Sequence, residues 1–218
     1  MVHTHGEDDR QRAIWDGNRS VLLLLTTLFL LWFIFHMGIP LLNKSVAHGI
    51  HITVALIFAL TCAWNMFHTP SHGKGYRKAH RVSGWCAMMA GTVTLFTGVT
   101  ILVQFADVLP RANKIVFCIT GTLQIILQLA GLYMIRILRK PSLHRKAMTV
   151  MFYTSLLMPA VNRFPDMIGW EHAGSAWTFG TMPLGAVLAF FAILFQEMAL
   201  HAESKQAGNS DAGSSEDA

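Results

Sequence analysis

The stretch SVLLLLTTLFLLWFIFHMGIP, residues 20–40, decides the fold. It is apolar almost throughout and contains no Asp, Glu, Lys or Arg. A run of about 20 such residues is what an α-helix needs to cross the hydrocarbon core of a bilayer. Arg10, Arg12 and Arg19 precede it, as basic residues precede a signal peptide. The apolar run is too long for that, and no small-residue cleavage site follows, so it reads as an uncleaved anchor helix.

Five further stretches share this character: 45–67, 83–106, 114–137, 148–163 and 174–200. Inside lipid each backbone N–H and C=O must be satisfied within its own segment, which selects helices. The expectation is an all-α, polytopic membrane helical bundle of six transmembrane helices. It divides into a cytoplasmic N-terminal segment (1–19), a six-helix membrane domain (20–201) and a tail (202–218). The tail, AESKQAGNSDAGSSEDA, is polar, small and acidic, and too poor in apolar surface to fold, so it reads as disordered.

Composition agrees. Of 218 residues, 53% are hydrophobic and only 13% charged, about half the charge of a soluble domain. The formal charge of +5 comes from short loops beside the helices, where orientation and lipid phosphate account for it. Nucleic acid is therefore not an expected partner; the lipid bilayer is. Cys62, Cys86 and Cys118 each fall within a span and form no CxxC, so they read as small apolar fillers.

The loops also orient the chain. With six spans, 13 of the 17 basic residues lie on the side of the termini, and Lys44, Arg111, Lys114 and Arg163 lie on the other. The positive-inside rule then makes both termini cytoplasmic, in what is expected to be a bacterial inner membrane.

Residues three and four apart share a helix face. In the third span His80, Gly84, Ala87, Gly91, Thr94 and Gly98 fall on one face; in the fourth, Gly121, Gln124, Gln128 and Gly131 do. The second span aligns His48, His51, Ala55, Phe58, Cys62 and Asn65; the fifth aligns His144, Met148, Met151, Ser155, Met158 and Asn162, with a kink expected at Pro159. Small and polar seams are how helices associate in lipid. Spans 2 to 5 are thus expected to form a central four-helix bundle, with a lipid-facing span 1 and span 6 at its flanks. Asn65, Gln124, Gln128 and Arg163 are the candidate polar groups of the interior.

Eleven histidines are many for such a chain. His80 and His144 enter their spans at the cytoplasmic boundary; His36, His48 and His51 lie near the opposite one. Neutral imidazole ligates metals and haem iron. A haem b clamped between two helices needs one histidine from each at similar depth, a condition met on this reading by His80 and His144. His51 with His36 is a weaker candidate metal pair. The competing reading makes these interfacial imidazoles that reach water or lipid phosphate.

From His51 to Arg163 the chain resembles an uncharacterised bacterial family of multi-pass membrane proteins, catalogued as a domain of unknown function. The features are His51 opening one helix and Asn65 near its end, a basic loop running into His80-Arg81-x-x-Gly84, a loop ending His144-Arg145-x-x-Met148, and Arg163 at the end of that helix. Asn65 stands where the family more often shows Gln, and Val82-Ser83 where it often has bulky residues. The resemblance implies a fold but no established activity. There is also an architectural likeness to the ascorbate-type di-haem transmembrane cytochromes, whose six helices pair histidines between helices 2 and 4 and between 3 and 5. It implies a haem for His80 with His144 only, because the fourth span contains no histidine.

Three readings of function follow. One is a haem b membrane redox protein exchanging electrons with a quinone or a respiratory-complex partner. Another is a non-enzymatic membrane subunit or assembly factor. The third is a small-molecule transporter, with Gln124, Gln128 and Asn65 lining a neutral pathway. No hydrolase or protease motif (GxSxG, HExxH) occurs.

Overall fold

The computed structural model describes residues 4–42, 44–67, 74–107, 109, 111–162, 177 and 182–213. These are almost wholly helical, with no strand among them. We label the helices α1 (Thr4–Phe33), α2 (Val46–Phe67), α3 (Lys74–Gln104), α4 (Arg111–Arg136), α5 (Pro141–Met151) and α6 (Met182–Gly213). Five helical segments among the described residues are long and apolar enough to cross a membrane: Asp9–His36, Val46–Phe67, Gly75–Gln104, Arg111–Arg136 and Pro183–Lys205. The chain is a multi-pass membrane protein by this measure.

The fifth expected span is helical but interrupted. α5 is followed by a π-helical stretch, Phe152–Leu157, and then by a last α-helical piece, Met158–Asn162. The three pieces hold 11, 6 and 5 residues, together as long as the 22-residue α2. α1 likewise passes into a π-helical turn, Ile34–Gly38, before a short α-helical piece, Ile39–Leu41. Both π stretches stand just ahead of a proline, Pro159 and Pro40. Proline has no N–H to give the carbonyl four residues back, and its ring crowds that carbonyl. A wider turn relieves the crowding, so the kink expected at Pro159 takes the form of a π turn.

That interrupted helix is the centre of the bundle. Phe152, Tyr153, Thr154, Ser155 and Leu157 are all buried, and the π stretch packs against α1, α2, α4 and α6. The most extensive pairings are α2 with α3, α1 with α6, and α4 with α5. α1 and α6 are thus a pair, both of which touch the π stretch after α5, and α1 is lipid-facing on one side only. Its Leu23, Thr26 and Leu30, three and four apart, are buried, whereas Val21, Leu24, Leu25 and Leu28 are exposed. α6 answers with buried Ala189, Ala192, Ala199 and Ala202, small enough for a close approach.

Near their outer ends α1 and α6 stay together. Trp15 stacks on Phe195 at a centroid separation of 5.8 Å, and Arg12 pairs with Glu203 at 3.3 Å. The two described ends of the chain therefore lie on the same side, as an even number of crossings requires. The stretch expected to be disordered from Ala202 onward is instead helical to Gly213. It continues a helix already nucleated within the bundle, and propagating a helix is far easier than starting one.

Candidate functional site

The expected seams of α2, α3 and α4 face one another. Phe58 and Cys62 of α2, Ala87 and Gly91 of α3, and Gln124, Gln128 and Gly131 of α4 are all buried. Gly91 is the tightest point. A Cβ built there would meet the Gln128 amide nitrogen and would lie 3.0 Å from the Phe58 ring, itself fully buried. Farther along, a Cβ on Gly98 would sit 2.7 Å from the Phe117 ring and 3.3 Å from the His51 ring. Gly84 is looser, its nearest neighbour being Asn65 Nδ2 at 3.9 Å.

Polar side chains tie these interfaces. His51 Nδ1 donates to the main-chain oxygen of Thr94 at 3.0 Å and lies 3.1 Å from the Thr97 hydroxyl, joining α2 to α3. Ser83 donates its hydroxyl to Asn65 Oδ1 at 2.5 Å across the same pair. Gln124 Nε2 donates to the Gly91 oxygen at 2.9 Å, joining α4 to α3. His144 Nδ1 donates to the Gly131 oxygen at 2.9 Å, joining α5 to α4. Arg19 Nη2 donates to the Met66 oxygen at 2.6 Å, joining α1 to α2. A carbonyl only accepts, so the proton on each bonded imidazole is at Nδ1 and the lone pair at Nε2.

His80 and His144 do lie toward the same end of the bundle, but on different interfaces. His144 faces α4 at Gly131. His80 is half-buried and shares its face of α3 with Gly84, whose neighbour is Asn65 of α2. α3 and α5 are not among the extensively packed pairs.

His36 is exposed and stacks on Trp32 at 5.6 Å; His51 turns into the α2–α3 interface. Among the described residues no three His, Cys, Asp or Glu side chains gather as a metal-ligating group. Asn65, Gln124 and Gln128 lie at interfaces between helices, while Arg163 lies outside the described residues. Cys62 is buried; Cys86 and Cys118 are exposed.

Several groups escaped the sequence reading. Arg19 counted only as a loop charge, yet it caps the end of α2. Ser83 and Thr97 gave no signal beyond small size, and Thr94, placed on the small-residue face of α3, gave none of its bond to His51, because nothing in a sequence names the partner across an interface. Thr120 was findable: it continues the Gln124, Gln128 series one turn earlier, and it is buried.

No family model, curated protein or solved structure matches the chain.

Proposed function

We propose that the protein is a non-enzymatic membrane subunit or assembly factor, in a bacterial inner membrane with both termini cytoplasmic. The observation behind this reading is the use made of the polar groups. His51, Asn65, Gln124, His144 and Arg19 each bond a neighbouring helix. Between them these bonds link α1 through α5 into one body. The outer faces carry large apolar side chains, such as Met89, Phe96 and Val103 of α3 and Ile126 and Leu129 of α4, suited to lipid or to the helices of a larger complex. The test is extraction of native membranes in mild detergent followed by native electrophoresis. Co-migration with a respiratory complex is expected, with less of that complex assembled in a deletion strain. Migration alone, with all complexes at normal levels in the deletion strain, rejects the reading.

A second reading is the haem b redox protein that exchanges electrons with a quinone or a protein partner. One observation favours it. With Nδ1–H held by Gly131, the His144 ring has the orientation and tautomer of a metal-ligating imidazole, Nε2 being the ligating atom. His80 and His144 are its ligands on this reading, which rests most on His144, whose tautomer the Gly131 carbonyl sets. The visible spectrum of the purified protein distinguishes the two readings. Sharp reduced bands that His144→Ala abolishes support haem; a colourless protein from haem-replete cells rejects it.

A further inference from the structure

We propose that the outer side of the α3–α4 pair holds an anionic phospholipid, its phosphate at Arg81 and Arg136 and its acyl chains on the apolar faces deeper in the membrane. This goes beyond a subunit or assembly role and does not depend on it. The site is built round Trp85 of α3, which is 48% exposed. The Arg136 guanidinium of α4 lies over the Trp85 ring, 5.9 Å from its centroid, within the range of a cation–π contact. Arg81 precedes Trp85 by one turn on the same face of α3 and is exposed. One indole thus has a cation from α4 over its ring and a second cation one turn away.

The depth suits a headgroup. Trp85 and Arg136 each lie about ten residues from the middle of their apolar stretches, 83–106 and 114–137. That is about 15 Å along the helix, where a hydrocarbon core about 30 Å thick ends. Arg81 lies about 20 Å from the middle, within the headgroup layer. Deeper in, both helices present exposed apolar side chains. Met89 and Phe96 follow Trp85 on its face of α3, and Tyr133, Leu129 and Ile126 precede Arg136 on α4. Along both helices the order is cation, aromatic ring, apolar side chain. A phospholipid has the matching order of phosphate, glycerol and acyl chains.

Charge complementarity selects an anionic lipid. Residues 17–106 and 108–165 contain no Asp or Glu. Asp16, Glu197 and Glu203 belong to α1 and α6 and pair with Arg12 and Lys146. Among the described residues, no carboxylate pairs with Arg81, Arg136 or Arg139. Arg139, three residues beyond Arg136 in the turn after α4, has a φ of 53°. Glycine adopts that left-handed backbone freely and arginine does not, so a third cation stands where the backbone favours glycine. Guanidinium groups bind phosphate through paired N–H donors. Cations at the membrane boundary with no protein counter-charge draw anionic headgroups in preference to zwitterionic ones.

The test uses the full chain in phosphatidylcholine vesicles that also contain phosphatidylglycerol or phosphatidylcholine brominated in the acyl chains. Bromine quenches a tryptophan that it touches, and the difference from a matched protein carrying Trp85→Phe isolates the Trp85 signal. Brominated phosphatidylglycerol is expected to quench Trp85 with several-fold higher apparent affinity than brominated phosphatidylcholine. Arg81→Gln with Arg136→Gln is expected to make the two lipids equal. Arg111→Gln with Lys114→Gln, at the opposite end of α4, is expected to leave the preference intact. Arg81 and Arg136 are exposed, so the size-exclusion profile is expected to stay that of wild type. Arg81→Gln alone, which leaves the Arg136–Trp85 contact in place, is expected to lower the preference at least twofold. Equal quenching of wild-type Trp85 by the two lipids overturns the proposal. So does a full preference in either assembled variant lacking Arg81. Loss of the preference in Arg111→Gln with Lys114→Gln also overturns it, since the lipid would then answer to net charge and not to this site.

Discussion

Gln124 of α4 donates from Nε2 to the main-chain oxygen of Gly91 on α3 at 2.9 Å. An amide reaches the neighbouring backbone only because the residue it approaches has no side chain. The same glycine lies against Gln128 and Phe58, so one Cβ-free position lets α2, α3 and α4 converge.

Gly91→Leu is therefore expected to lower the melting temperature in detergent clearly, by an amount within the usual cost of overpacking, about 1–3 kcal/mol. Leu25→Ala is expected to change it little, because Leu25 is 60% exposed. Gly84→Ala is also expected to be mild, with 3.9 Å to the nearest atom. Equal melting temperatures for Gly91→Leu and Leu25→Ala would show that the interior lies elsewhere.

Phe58 and Phe96 make a second pair. Phe58 is 0% and Phe96 68% exposed. Truncating a buried Phe typically costs about 3–5 kcal/mol, so Phe58→Ala is expected to destabilise strongly and Phe96→Ala hardly at all. Differential scanning fluorimetry of the two variants in one detergent measures this; the reverse order contradicts the helix packing.

The Arg12–Glu203 pair is expected to contribute little. Its side chains are 41% and 52% exposed, and exposed pairs are worth about 0–1 kcal/mol and are screened by salt. Arg12→Ala is expected to shift thermal stability slightly at low salt and not at high salt. A large loss that persists in concentrated salt would show that the pair is shielded by something beyond α1 and α6.

Orientation is tested with reporters. Alkaline phosphatase fused after Ala218 is expected to be inactive, and fused after Lys44 active, because the enzyme needs export. The opposite result would invert the proposed topology. Since both ends of the described chain share a side, activity at both fusion points would contradict the even number of crossings.

A double-mutant cycle on Asn65 and Ser83 measures the interhelical glue. Hydrogen bonds between membrane helices average about 0.6 kcal/mol and reach about 1.7. Asn65→Ala and Ser83→Ala are expected to show a coupling in that range when unfolding is followed in mixed micelles. Strict additivity would mean that the 2.5 Å contact contributes nothing.

The sequence by itself determined that the apolar segments are helices and which faces of α2, α3 and α4 turn inward. Hydropathy reports the free energy of entering lipid, and the three- to four-residue recurrence of Gly91, Gly98, Gln124 and Gln128 reports one helix surface. The tertiary structure alone decided what those surfaces meet. An apolar side chain has the same transfer energy whether lipid or another helix covers it, so the sequence did not show that α1 buries Leu23 and Leu30 against its neighbours. Nor did it show that the π stretch after α5 packs against α1 and α6 as well as α2 and α4. The positions of His80 and His144 were legible as two helix starts on one side. That His144 meets the Gly131 oxygen of α4 follows from the packing of α4 on α5, which hydropathy does not encode.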